Sequence, residues 1–281
     1  MLNKCRISGF ADEIDSSVAV QLELLGKLGV KYVEFRSGDG IGVADYTIEQ
    51  AKALKERLDA AGVKVSAVGS PIGKIMITDD FAPHFEKYKH VVELAKIFDT
   101  PYIRMFSFFI PEGEDPAGYR DEVLKRMAQF VEYAKEQNVI LLHENEKGIY
   151  GDNAPRCLDL MQNFYGDHFK CTFDFANFVQ CHQDTLEAYE LLKDYITYVH
   201  VKDAQWDTHM VVPAGQGDGH VKEIFGKLDA AGYEGFLSLE PHLADFAAFK
   251  SLENNGSALA LGSGTLAFTT AHEALTKLLA E

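Results

Sequence analysis

At 281 residues, with 47% hydrophobic side chains and a formal charge of −16, the chain has the composition of a soluble globular protein the size of one barrel. The negative charge argues against nucleic acid or an anionic membrane surface as a partner, because phosphates are repelled. Four cysteines without CxxC spacing, no apolar leader in MLNKCRISGFADEI and no run of membrane-spanning length lead to the expectation of a cytoplasmic protein with reduced, core-type cysteines.

Strand-type and helix-type runs alternate from the start. CRISGF (5–10) is followed by apolar residues at helical spacing over 18–29, with Gly29 as the C-cap. KYVEFRS (31–37) leads through a glycine-rich loop to a helix over 47–62. VKVSAVGS (63–70) leads to a helix over 84–99, and PYIRMFSF (101–108) to a helix over 118–137. The second half predicts strands at 139–144, 169–174, 196–202 and 235–240. Helices fall near 155–164, 184–193 and 221–231, with a last one at 264–280. Eight βα units in this length argue for a closed (β/α)8 TIM barrel, with 1–281 forming a single domain. Side-chain parity agrees. His200 and Lys202 share a face opposite Val199 and Val201, Glu240 lies opposite Leu239, and Asp174 opposite Phe173. A polar face turned inward is what a central site in a barrel requires.

Four of these strands end on residues of metal-ligand type: Glu144, Asp174, His200 and Glu240. Their separations of 30, 26 and 40 residues are each close to one βα unit, which puts them on neighbouring strands five to eight at one height. A carboxylate at the end of an apolar strand is costly unless something there needs its charge. Three carboxylates and one imidazole form a mostly oxygen site for one divalent ion, Mn²⁺ or Mg²⁺ first, with Co²⁺ or Zn²⁺ also accommodated. Taken singly, each residue has a plain alternative as a strand-end ion pair.

The segments HENEKGIYGD, TFDFAN, YVHVKDA, VPAGQGDG and LSLEPH resemble the motifs of the sugar phosphate isomerase/epimerase superfamily, the xylose isomerase-like TIM barrels. That group includes ketose 3-epimerases, hydroxypyruvate isomerases, inosose dehydratases and endonuclease IV. The resemblance runs over all eight strands and is strongest after residue 139. It implies that Glu144, Asp174, His200 and Glu240 hold the divalent metal and that Glu144 and Glu240 also carry acid/base work. Such chemistry removes a proton next to a carbonyl and returns it to the other face or to the adjacent carbon. Three departures stand out. Asn177 replaces a histidine of many ketose epimerases, Gln216 replaces a glutamate, and His209 is the nearest polar residue where those enzymes carry an arginine.

Further substrate-binding candidates are Glu34, which resembles the family's strand-two glutamate, Arg104 in YIRMF, and Lys202, in phase with His200. Their alternatives are ion pairs, of Glu34 with Arg104 and of Lys202 with Glu240. His143 has outward parity and reads as a packing residue, and His242 is open. The glycines at 215, 217 and 219 read as a turn, with anion binding by their N–H groups as the weaker option. The implied partner is a small carbohydrate, and a homo-oligomer is compatible with the chain. An inosose dehydratase-like lyase and a non-catalytic sugar-binding barrel stand as alternatives. A nuclease is disfavoured by the charge and by the lack of further histidines for a metal cluster.

Overall fold

The computed structural model describes residues 1–243 and 264–281. Eight parallel strands form the inner sheet: β1 (Arg6–Gly9), β2 (Tyr32–Phe35), β3 (Lys64–Val68), β4 (Tyr102–Met105), β5 (Ile140–Glu144), β6 (Phe169–Asp174), β7 (Ile196–Val201) and β8 (Phe236–Leu239). Their order is β1-β8-β7-β6-β5-β4-β3-β2, and β1 and β2 lie against each other to complete a nearly closed barrel. The helices are α1 (Val18–Leu28), α2 (Ile48–Ala60), α3 (Phe81–Ile97), α4 (Arg120–Gln137), α5 (Ala154–Phe164), α6 (Phe175–Gln180), α7 (Thr185–Leu192), α8 (Val221–Ala230) and α9 (Gly264–Ala280). The (β/α)8 architecture is the one expected from the alternation of runs.

Local chemistry fixes the boundaries. Gly29 caps α1 with φ 72°, a left-handed conformation that glycine adopts without strain. Thr47 and Gln50 form a reciprocal capping box at α2. Asp80 caps α3, so that helix starts before the expected residue 84. The run 101–108 is extended only to Met105. Beyond it Phe106 N–H bonds to Ile72 O and Phe108 N–H to Gly73 O, so this loop pairs with the loop after β3 instead of continuing the sheet. Gly73 is required there: at φ +87° a Cβ would lie 2.0 Å from the carbonyl oxygen of Phe106.

The sequence did not announce two short antiparallel ribbons, Ser37–Gly38 with Ile41–Gly42 and Asp203–Ala204 with Val211–Val212, nor the short helix α6. The core lies between the barrel's outer face and the helices, where Val199, Val201, Phe173, Leu237 and Leu239 are buried as parity requires. All four cysteines are free thiols. No helix among the described residues is long and apolar enough to cross a membrane.

Candidate metal centre

The four strand-end residues meet because of an irregularity in the sheet. Cys171 pairs with Ile196, but after a one-residue bulge Thr172 pairs with Tyr198 and Asp174 with His200. Without that bulge Asp174 would stand opposite outward-facing Val199. Bulges re-aim side chains in this way. In hydrogen-bond register the four residues are stepped, since Glu144 pairs with Thr172 and Ser238 with His200. Strand tilt levels them: one ligand atom from each of Glu144, Asp174, His200 and Glu240 lies within 4.8 Å of all the others.

His200 Nδ1 is 2.9 Å from Glu144 Oε1 and 3.8 Å from both Asp174 Oδ2 and Glu240 Oε2. Its Nε2 is 3.1 Å from Glu34 Oε2, and the Phe10 ring abuts it edge-on. Asp174 ends β6 and caps α6 at once. Its Oδ1 accepts the Asn177 N–H at 2.8 Å, which turns Oδ2 toward the cluster. Asn145 holds the same corner by exchanging hydrogen bonds with the Asp174 main chain.

Cations surround the carboxylates. Lys202 Nζ is 3.0 Å from Glu240 Oε2 and 3.2 Å from Asp174 Oδ2. Arg104 lies between Glu144 and Glu240, at 3.3 and 3.9 Å. Arg36 reaches Asp12 at 2.8 Å and both Glu13 and Glu240 at 3.2 Å. The Arg36 and Arg104 guanidinium groups both stand over the Phe10 ring, at 4.5 and 4.8 Å, a favourable use of its negative face. His242 Nε2 completes this side, 3.4 Å from Glu13 and 3.5 Å from Glu240.

The electrostatics follow. Burial opposes the charge on Glu144, but His200 and Arg104 outweigh it and hold the carboxyl at about 2. Burial prevails at Asp174 and pushes it up to about 7 despite Lys202. Burial disfavours a charged His242 as well, yet Glu13 and Glu240 hold it up at about 9.

This donor set fits a divalent cation. Six carboxylates (Asp12, Glu13, Glu34, Glu144, Asp174 and Glu240) crowd around Arg36, Arg104, Lys202 and the imidazoles of His200 and His242. Two buried oxygens, Glu144 Oε2 and Asp174 Oδ2, make no hydrogen bond and meet the charges of Arg104 and Lys202, at 3.3 and 3.2 Å. Buried carboxylate oxygens are costly to leave so, and both are placed where a cation held by Glu144, Asp174, His200 and Glu240 would take them up. Harder ions suit three carboxylates, and the imidazole admits Zn²⁺.

A cavity of about 550 Å³ opens onto the cluster, with Arg36, Arg104, Lys202, Asn177, Glu240 and Phe109 in its walls. The structure thus brings Arg104 and Lys202 to the cavity and to the carboxylates. It does not place the other two expected substrate contacts there. Glu34 is fully buried behind His200 and pairs with neither Arg104 nor the cavity, because Ser238 and His200 take its Oε2. His209 has positive φ and is not among the residues in the cavity wall; its Nε2 lies 3.2 Å from that of His182, and its carbonyl accepts from Gln180. His143 packs outward on Ser107, as its parity suggested. The glycine loop is a turn around an internal anion, since the Asp203 carboxylate accepts the N–H groups of Gly215, Gly217 and Gly219.

Asp12, Glu13 and Arg36 went unassigned in the sequence. The signal was present: Asp12 and Glu13 follow the apolar end of β1, the same pattern that marks Glu144.

Residues 22–260 match the family model described as xylose isomerase-like TIM barrel. Over 129 residues the chain is 24% identical to the 3-dehydroshikimate dehydratase of Bacillus anthracis, a stretch that is 46% of either protein. The match thus spans about half the length of that curated relative. Two solved structures superpose with a TM-score of 0.75 at 14% identity, each covering 98% of both chains: D-psicose 3-epimerase with D-tagatose from Clostridium cellulolyticum H10, and the IOLI protein with a binding zinc atom. At such identities the likeness establishes the fold.

Proposed function

Because this chain belongs to the xylose isomerase-like TIM barrel family, we propose that it is a divalent-metal-dependent isomerase or epimerase of a sugar or sugar-like polyol. The observation that carries this reading is the convergence of Glu144, Asp174, His200 and Glu240 within 4.8 Å, next to a cavity that Glu240 itself lines. A cation held by these four supplies Lewis-acid stabilisation of the charge that develops on a substrate oxygen.

The chain's own residues supply the rest. Glu144 and Glu240 come from opposite ends of the four-strand arc, and the Arg104 guanidinium lies between them. Each carboxylate is held ionised by a neighbouring cation and so is available to take a proton from carbon. Proton return from the second carboxylate to the other face inverts the centre, and return to the adjacent carbon isomerises the sugar. Lys202 and Arg104, in the cavity wall, offer hydrogen bonds to substrate oxygens. Asn177, 3.4 Å from Glu144 Oε1, orients that carboxylate without titrating.

A second reading is a lyase, favoured by the stretch shared with a dehydratase. The same proton abstraction would be followed by loss of a β-hydroxyl, with the Lys202 ammonium as the proton donor to the departing oxygen.

The test is a panel of ketoses, hydroxypyruvate and inososes incubated with metal-loaded protein in D₂O. Deuterium at a carbon next to the carbonyl, with substrate mass otherwise unchanged, supports isomerase or epimerase. A product lighter by one water supports the lyase. Exchange that is equal in wild type, Glu144→Gln and Glu240→Gln would refute the role of these carboxylates. If both act, each substitution lowers the rate by about 10² to 10⁴.

A further inference from the structure

Glu34 is fully buried on the far side of His200 from the other carboxylates, and its surroundings differ from theirs. Its Oε2 accepts the Ser238 hydroxyl at 2.7 Å and lies 3.1 Å from His200 Nε2, while its Oε1 makes no hydrogen bond. A layer of hydroxyl groups lies below. Ser8 and Ser66 are 2.6 Å apart, Ser66 is 2.8 Å from the Tyr198 hydroxyl, and Ser238 borders Tyr198 as well. A second bulge, in the neighbouring strand β3, sets the register beside Glu34. Val33 pairs with Val65 but Glu34 pairs with Ala67, so Ser66 is the extra residue.

Each nitrogen of the His200 ring faces a carboxylate, Glu34 at Nε2 and Glu144 at Nδ1. A ring that ligates a cation is neutral and carries one proton, so one nitrogen donates and the other offers its lone pair. Nδ1 is the nitrogen within 3.8 Å of Asp174 and Glu240 as well as Glu144, so the lone pair belongs there and the proton on Nε2. We propose that Glu34, steadied by Ser238, is a positioning residue: it holds the Nε2 proton of His200 and thereby presents Nδ1 to the cation site. The proposal rests on the metal reading above. It accounts for a buried carboxylate away from the cavity, whose desolvation is offset by the imidazole N–H and one hydroxyl.

The test uses Zn²⁺ as a diamagnetic probe of the full chain. Affinity is measured calorimetrically for wild type, Glu34→Gln and Ser238→Ala, with melting in EDTA to confirm that each folds. Long-range ¹⁵N–¹H spectra of histidine-labelled protein report which His200 nitrogen carries the proton. The expected result is a protonated Nε2 and a zinc-bound Nδ1 in wild type. Glu34→Gln should bind Zn²⁺ about 10- to 100-fold more weakly, and Ser238→Ala should shift affinity in the same direction by less. A purely structural role would lower the melting temperature without moving the His200 signature. Unchanged affinity and spectra in the variants, or a proton on Nδ1 in zinc-loaded wild type, would overturn the proposal alone. Absence of Zn²⁺ binding by wild type would overturn the metal reading and the proposal with it. If Glu34→Gln does not fold, Ser238→Ala decides.

Discussion

Replacing Asp174 by asparagine should improve the metal-free fold while destroying the metal site. Asn keeps an oxygen for the Asn177 N–H, the contact that starts α6. It removes the charge that burial penalises. In the folded chain the Asp174 carboxyl is raised to about 7 from 3.8. The sign is therefore that of a raised group: its contribution to stability is fully present below about pH 4 and is lost as pH rises through 7. At neutral pH the difference corresponds to about 4 kcal/mol. An Asn amide facing the Lys202 ammonium, 3.2 Å from the present Oδ2, offsets part of that gain. A net stabilisation of about 2 kcal/mol should raise Tm by roughly 3 °C in a chain of this size. The assay is thermal unfolding of EDTA-treated wild type and Asp174→Asn at pH 7.5 and pH 5, followed by Zn²⁺ titration of both. The variant should melt higher at pH 7.5, lose most of that advantage at pH 5, and bind no Zn²⁺ at the wild-type affinity. A lower Tm than wild type at pH 7.5, or unchanged Zn²⁺ affinity, would refute the reasoning.

Lys202→Met breaks a buried pair with Asp174 and Glu240 and should cost the metal-free protein about 3 kcal/mol. Saturating metal should restore most of the lost Tm, and a deficit that persists in full under metal would count against a cation site at Asp174 and Glu240. Buried His84 accepts the Gly73 N–H at 2.7 Å, and burial with nearby Lys87 and Arg126 holds it down at about 4. A depressed imidazole contributes stability above about pH 6.5 that is lost as pH falls toward 4, about 3 kcal/mol in all. Urea midpoints between pH 7 and 4.5 should fall less steeply in His84→Gln, and identical slopes would exclude the mechanism. His209→Ala should leave metal affinity and turnover at wild-type values, since His209 packs on His182 instead of the cluster. A tenfold loss in kcat/KM would return it to the substrate site.

The fold was legible because periodicity is a local property: apolar alternation on each strand and helical spacing between strands sufficed for eight βα units. The cluster was legible for the same reason. A charged residue closing an apolar strand is an anomaly visible within a single strand, as in ILLHE and FKCTFD. What escaped depended on relations between strands. Nothing in TYVH or KVSAV announces the bulges that bring His200 opposite Asp174 and set Glu34 beside Ala67. Glu34 was expected at the substrate from its resemblance to the family's strand-two glutamate, and parity, which agreed, gives a face but not a depth. His209 was expected there because it filled a gap in a motif, whereas in the loop closed by the ribbon Asp203–Ala204 with Val211–Val212 its ring meets His182. Arg36 was in plain view beside Glu34, but its partners Asp12 and Glu13 lie on the loop after β1, a pairing that only the closed barrel creates.

The most direct test of a divalent metal centre is anomalous scattering from crystals of the protein grown with Mn²⁺. The expected result is one strong peak within about 2.0 to 2.4 Å of oxygens of Glu144, Asp174 and Glu240 and of His200 Nδ1. The same peak should be missing in His200→Ala crystals grown alongside. A map with no peak at that point in wild type, at Mn²⁺ concentrations that saturate any site in solution, would contradict the account.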